Sequence, residues 1–158
     1  METKELTESE KAKSAVLKFL SVRPRSRAEI VKKLQTKRYP AAVIEETVVL
    51  LTKQGLVDDE KFAKLFANSQ VYSRPTGSRK LAFDLKQKGL SAELIEKTIS
   101  GIPDYDEKKM ARELVIKRLR SMKGVSEEAK KRRLFSFLQR RGFSTNVIFE
   151  ALKIQNED

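Results

Sequence analysis

Apolar residues recur along this chain with a helical period. Ile30, Val31 and Leu34 are followed by Val43, Ile44, Thr47 and Val48. The same pattern returns 51 residues later as Leu81, Ala82 and Leu85, then Leu94, Ile95, Thr98 and Ile99. It returns again after a further 53 residues as Leu134, Phe135 and Leu138, then Val147, Ile148, Ala151 and Leu152. Spacings of one and four place each set on one face of a helix. The pattern predicts three copies of a helix pair.

The connector inside each pair recurs too. It reads Lys37-Arg38-Tyr39-Pro40, Lys88-Gly89-Leu90-Ser91 and Arg141-Gly142-Phe143-Ser144. Gly89 and Gly142 suit a left-handed residue that ends a helix. Ser91 and Ser144 suit the N-cap of the next helix. Pro40 stands where a first-turn proline is tolerated. Arg38 fills the glycine slot, so that turn is expected to be slightly strained or differently shaped. Tyr39, Leu90 and Phe143 share the apolar position before the cap.

A third helical pattern precedes each pair. It is carried by Ala15, Val16, Phe19 and Leu20, by Phe62, Leu65 and Phe66, and by Met110, Ala111, Leu114, Val115, Leu119 and Met122. Thr7 with Glu10 and Ser26 with Glu29 match capping boxes. Asp58, Asp104 and Ser126 stand as further helix starts. No alternating apolar and polar run argues for a strand. The expectation is an all-α chain of nine helices in three units, 8–56, 58–101 and 105–155. A period near 50 residues points to a repeat architecture, which is elongated when each unit packs on its neighbours. A compact nine-helix body is the rival geometry.

Composition then narrows the function. The 158 residues carry 34 Lys+Arg against 22 Asp+Glu, a net charge of +12. Such an excess attracts polyanions. There is no Cys and no His, which removes thiolate chemistry, the commonest general base and the commonest metal ligand. Neither cofactor nor metal is expected. No apolar run approaches the ~20 residues that span a bilayer, and the first ten residues are polar and acidic. A cytoplasmic protein without membrane contact is expected.

The charge is uneven. Residues 107–141 hold 13 basic and 4 acidic groups, or +9. The candidate binding residues there are Arg118, Lys130, Lys131, Arg132, Arg133, Arg140 and Arg141. Two further groups flank equivalent loops. Arg23, Arg25 and Arg27 surround Pro24, while Arg74, Arg79 and Lys80 surround Pro75-Thr76-Gly77-Ser78. Lys86 and Lys88 follow in the helix after the second loop. Each loop leads into a helix start, where backbone N–H groups beside Arg side chains form a plausible anion cradle.

Catalytic signatures are missing. Asp58-Asp59-Glu60 is explained by helix capping. Gly77, Gly89 and Gly101 are too widely spaced for a phosphate loop. No Ser or Lys has a recognisable base. Phe residues mostly read as core, with Phe137 on the opposite side of its helix from Phe135 and expected to be exposed.

These residues carry a family resemblance. Arg25-Ser26-Arg27-Ala28-Glu29-Ile30, Gly55-Leu56-Val57-Asp58-Asp59-Glu60-Lys61-Phe62-Ala63, the stretch from Gly77 to Gly89, and Arg133 through Ser144 resemble the RecX family of bacterial recombinase regulators. The likeness covers about residues 11–155. Leu81 and Asp84 stand where Ile and Glu are expected, and Arg38 replaces a frequent glycine. The resemblance implies three tandem three-helix repeats, elongated and curved. It implies a monomeric non-enzyme that binds the RecA-type recombinase filament and suppresses strand exchange, ATP hydrolysis and co-protease function. It also implies non-specific binding of single- and double-stranded DNA. The alternative is a DNA-binding protein that uses helix-turn-helix-like units without RecA.

Overall fold

The computed structural model describes residues 5–153. Among these residues there are nine helices and no strand. The helices are α1 (Glu8–Val22), α2 (Arg27–Thr36), α3 (Ala41–Lys53), α4 (Asp59–Ser73), α5 (Ser78–Gln87), α6 (Ala92–Ser100), α7 (Glu107–Leu119), α8 (Glu127–Arg140) and α9 (Thr145–Lys153). Residues 154 and 155 of the expected third unit lie outside the described residues.

The helix starts follow from local chemistry. Thr7 with Glu10 and Ser26 with Glu29 form both reciprocal bonds of a capping box, satisfying N–H groups that the helix itself leaves open. Ser91 and Ser144 accept from the Leu94 and Val147 N–H groups, as N-caps should. Asp58 accepts from Lys61 N–H at 3.0 Å. Two starts differ from expectation. Asp106, not Asp104, caps α7 by accepting from Lys109 N–H at 3.0 Å; Asp104 adopts a φ of 54° in the turn before it. Pro40 is the N-cap of α3 rather than a first-turn residue. Its contribution is its carbonyl, which accepts from Ile44 N–H at 3.0 Å.

The connectors behave as their sequences demand. Gly89 and Gly142 have φ of 81° and 83°. Arg38 has a φ of 61°, a conformation that costs an L-residue about 1 kcal/mol or more. Leu90 and Phe143, just before their caps, are buried.

By contacts the chain forms two compact units. The first runs to Phe66 and includes Leu85–Thr98. Its core is Ala12, Val16, Ile30, Leu34, Ile44, Val48, Leu51 and Val57. The α1 helix packs on α3, and α2 packs on both. The second comprises Ala67–Asp84 and the chain from Ile99 onward. Its core centres on Ala111, Val115, Leu134, Leu138, Phe143, Ile148 and Ala151, with Ala67, Leu81 and Ile102 in a smaller cluster. In this unit α7 packs on α9, and α8 packs on both. Most of these core residues fall in the marked helical patterns, but Ala12, Leu51, Val57, Ala67 and Ile102 lie outside them, and Leu65, which lies in one, is exposed.

Candidate functional site

In the first unit, the start of α2 meets the turn after α5. The Ser26 hydroxyl donates to the Lys88 carbonyl at 2.6 Å. Arg23 and Lys88 converge on one carboxylate, with Arg23 Nη2 at 2.7 Å and Lys88 Nζ at 3.0 Å from Glu29 Oε1. Burial alone would raise the Glu29 pKa. The Arg23 hydrogen bond, the Ser26 N–H and the Lys88 ammonium outweigh it and hold the value at about 2. The Arg27 N–H donates to Asp59 Oδ1 at 2.7 Å. The Arg25 guanidinium lies 3.8 Å from the centroid of the Phe19 ring. Burial, then the Arg23 charge, lowers its pKa.

The expected anion cradle is therefore closed here. Glu29 and Asp59 already take the N–H groups at the α2 start, and Glu29 also neutralises Arg23 and Lys88. Asp59 comes from 32 residues away in sequence, whereas Glu29 is local and was legible as the capping-box acid but not as the partner that Arg23 and Lys88 share.

The second unit builds the same junction between the start of α5 and the turn after α8. Gly77 N–H donates to the Arg141 carbonyl at 2.8 Å, and Arg79 N–H donates to the Gly142 carbonyl at 3.1 Å. Ser78 N–H donates to Glu107 Oε1 at 2.7 Å. Tyr105 Oη donates to the Thr76 carbonyl at 2.8 Å. This helix start is also closed, and the second expected cradle fails for the same reason.

The side chains around this junction remain open. Arg74, Lys80, Arg118, Arg140 and Arg141 line a groove of about 490 Å³, with Phe137 and Gln70 also contributing. A second groove of about 540 Å³ adds Arg132 and Arg133 and shares Arg118 and Arg140 with the first. Neither groove is lined by a carboxylate. Among the described residues, Lys80 is the one cation of these seven with a salt bridge, to Asp84 at 2.9 Å.

Arg141 is the most constrained of them. Its Nη1 donates to the Pro75 carbonyl at 3.2 Å. Its Nε is buried without a hydrogen-bond partner among the described residues. Burial, then the charges of Arg74 and Arg118, lowers its pKa. Phe137 is half-buried rather than exposed, because the Arg118 and Arg141 guanidinium groups lie 4.7 Å and 5.3 Å from its ring centroid. A ring face attracts cations in this way.

Seven of the expected residues are thus brought together: Arg74, Lys80, Arg118, Arg132, Arg133, Arg140 and Arg141. The others are not part of these grooves. Lys130 is tied to Glu127 at 2.7 Å. Lys131 lines an apolar groove with Phe135, Phe149 and Leu152. Arg79 is exposed. Arg23, Arg25, Arg27, Lys86 and Lys88 belong to the first unit. Gln70 was not foreseen as a groove residue, and Phe137 was expected only as an exposed ring open to base stacking. The signal for Phe137 was its place one turn from Arg141, on the same helix face.

Among the described residues, no group of three His, Cys, Asp or Glu side chains could hold a metal. No helix there is long and apolar enough to cross a membrane.

Comparison with known proteins settles the family. The first, second and third three-helix domains of RecX match residues 12–49, 58–99 and 105–152. The chain belongs to the RecX family. The Regulatory protein RecX of Chlorobium phaeobacteroides is 34% identical over 146 residues, covering 92% of this chain and 94% of its own. That of Mycolicibacterium smegmatis is 33% identical over 153 residues, covering 94% and 81%. The crystal structure of RecX from Lactobacillus salivarius superposes with a TM-score of 0.83 at 21% identity, over 94% of this chain and 97% of that one. The Chlorobium and Mycolicibacterium relatives are named as regulatory proteins, and the nine helices among the described residues form the three three-helix domains of RecX.

Proposed function

We propose that this RecX-family chain binds the RecA nucleoprotein filament and inhibits its recombinase, ATPase and co-protease activities. The observation that carries the reading is the pair of adjoining grooves lined by Arg74, Arg118, Arg132, Arg133, Arg140 and Arg141, in a chain whose relatives are named regulators. A nucleoprotein filament presents DNA phosphates beside acidic protein surface, and both complement that charge. A regulator that holds a filament by several contacts opposes the rearrangements that accompany nucleotide turnover. The protein acts as a monomer in the cytoplasm, and its repeats span 8–56, 58–101 and 105–155.

The test is the ATPase of preformed RecA filaments on single-stranded DNA as the protein is titrated in. Inhibition far below the amount needed to coat the DNA is expected. The second reading is binding of single- and double-stranded DNA without RecA, favoured by the absence of carboxylates lining the grooves. It predicts inhibition only at saturating DNA coverage.

A further inference from the structure

The two junctions share a frame but differ at one position. Arg74 stands 51 residues after Arg23, and Lys80 stands 51 residues after Glu29. Arg141 stands 53 residues after Lys88. The accepting carbonyls correspond as well, since the Ser26 hydroxyl donates to the Lys88 carbonyl and the Gly77 N–H donates to the Arg141 carbonyl. In the first junction two cations share a carboxylate supplied by the protein. In the second, a lysine replaces that carboxylate and points its charge at Asp84 on its own helix. Arg74 and Arg141 keep the places of Arg23 and Lys88 but lose the anion between them. Arg118 and Arg140 add positive charge from α7 and α8.

We propose that the second junction is a binding site for a backbone phosphate of nucleic acid, which takes the place that the Glu29 carboxylate holds in the first junction. A guanidinium fork matches phosphate oxygens through paired N–H donors. The adjoining groove supplies Arg132 and Arg133 past the shared Arg118 and Arg140, and a run of cations suits a polymer with evenly spaced anions better than a single carboxylate. The Arg118 and Arg141 stack on Phe137 holds two of the forks in place before the ligand arrives. The first junction, neutralised from within, contributes nothing to this contact. The inference narrows the filament reading to one contact and rests on it only for the source of the phosphate.

The test is the double substitution Lys80→Glu/Asp84→Lys. It conserves net charge and keeps an ion pair one turn apart, with the acid now N-terminal as a helix prefers. It also rebuilds the carboxylate of the first junction between Arg74 and Arg141. Binding of the full chain to a fluorescently labelled oligo-dT strand would be measured over a salt series. Affinity is expected to fall about tenfold, and the slope of log affinity against log salt to shrink by about 1 to 2. The melting temperature is expected to stay level or rise, because an internal anion now pairs the two arginines.

Unchanged affinity and salt slope with the fold intact overturns the proposal. A fall in affinity with a lowered melting temperature also overturns it, since damage to the junction would then be the cause. Polyglutamate of matched charge is the competitor. If it displaces the strand as well as unlabelled oligo-dT does, the groove is an acidic-peptide site and the proposal fails. If the swap weakens DNA binding as expected but the unchanged chain leaves the RecA ATPase untouched, the filament reading falls and the phosphate site stands.

Discussion

The Gly77 amide donates to the Arg141 carbonyl across 2.8 Å, which brings the loop before α5 against the turn after α8. Together with the Arg79 N–H bond to the Gly142 carbonyl, it sets one wall of the basic groove against the other. It exists because neither side carries a side chain at the crossing. A Cβ on Gly77 would overlap the Gly142 carbonyl and the Phe143 nitrogen, and a Cβ on Gly142 would overlap Lys80. Two glycines, one at each side, are the sequence requirement for the groove.

Gly77→Ala should therefore destabilise the chain by about 1–3 kcal/mol, as overpacking against backbone does. Gly124 is the comparison. Its φ is 76° and nothing lies within 4 Å of an added Cβ, so Gly124→Ala should cost only the left-handed strain of about 1 kcal/mol. Urea unfolding measures both. The Gly77 variant should also bind DNA less tightly, whereas the Gly124 variant should bind normally. Equal behaviour of the two would refute the close-packing account.

Glu29 gives a pH dependence with a definite sign. Its carboxyl titrates at about 2 in the folded chain, below the ordinary 4.5. A depressed value means that the charged form is favoured by folding, so its stabilisation is complete above about pH 4.5 and is lost as the pH falls toward 2. Glu29→Gln should cost about 1–2 kcal/mol at neutral pH through the lost charge-assisted bonds to Arg23 and Lys88. The gap between the two proteins in urea unfolding should close as the pH is lowered through that window. A gap that stays constant would show that Glu29 acts only through its capping bonds.

Much of this was legible in the sequence, and the rest fails for a physical reason. The helices, their caps at Thr7, Ser26, Ser91 and Ser144, and the strained Arg38 turn depend on residues within a few positions, which the local pattern contains. The groove does not. Glu29 meets Lys88 and Arg141 meets Pro75 across long sequence separations, and no single loop shows which cations are neutralised. The cradles were misread for that reason, because Asp59 and Glu107 arrive from the next helix group. Aligning the repeats position by position exposes the difference, since Glu29 becomes Lys80 and then Arg133.

The run Lys130 to Arg133 should divide into unequal members. Lys130 is committed to Glu127 and Lys131 lies along an apolar groove; Arg132 lines both that groove and the basic one, and Arg133 lines the basic one. Arg133→Ala should weaken oligo-dT binding and reduce the salt slope by about 1. Lys130→Ala should change neither by a comparable amount. Electrophoretic or fluorescence titration over a salt series separates them. Equal losses would mean that the run acts as diffuse charge and that its position relative to the groove is irrelevant.

Phe137 offers a test of positioning without a change of charge. Its ring carries Arg118 and Arg141 at 4.7 Å and 5.3 Å from the centroid, and it lines the groove with both of them. Phe137→Leu keeps an apolar side chain on α8 but removes the quadrupole that attracts both cations. A contact of this kind contributes about 0.5–1 kcal/mol where it is exposed, so the stability loss should be small. The effect on DNA should be larger than that on stability, because two forks lose their fixed orientation and must be ordered when the phosphate binds. The salt slope should stay unchanged, since every charge is still present, while the affinity falls. That combination separates positioning from electrostatics: a reduced slope would mean that an arginine had left the groove altogether, and an unchanged affinity would show that the ring only fills space.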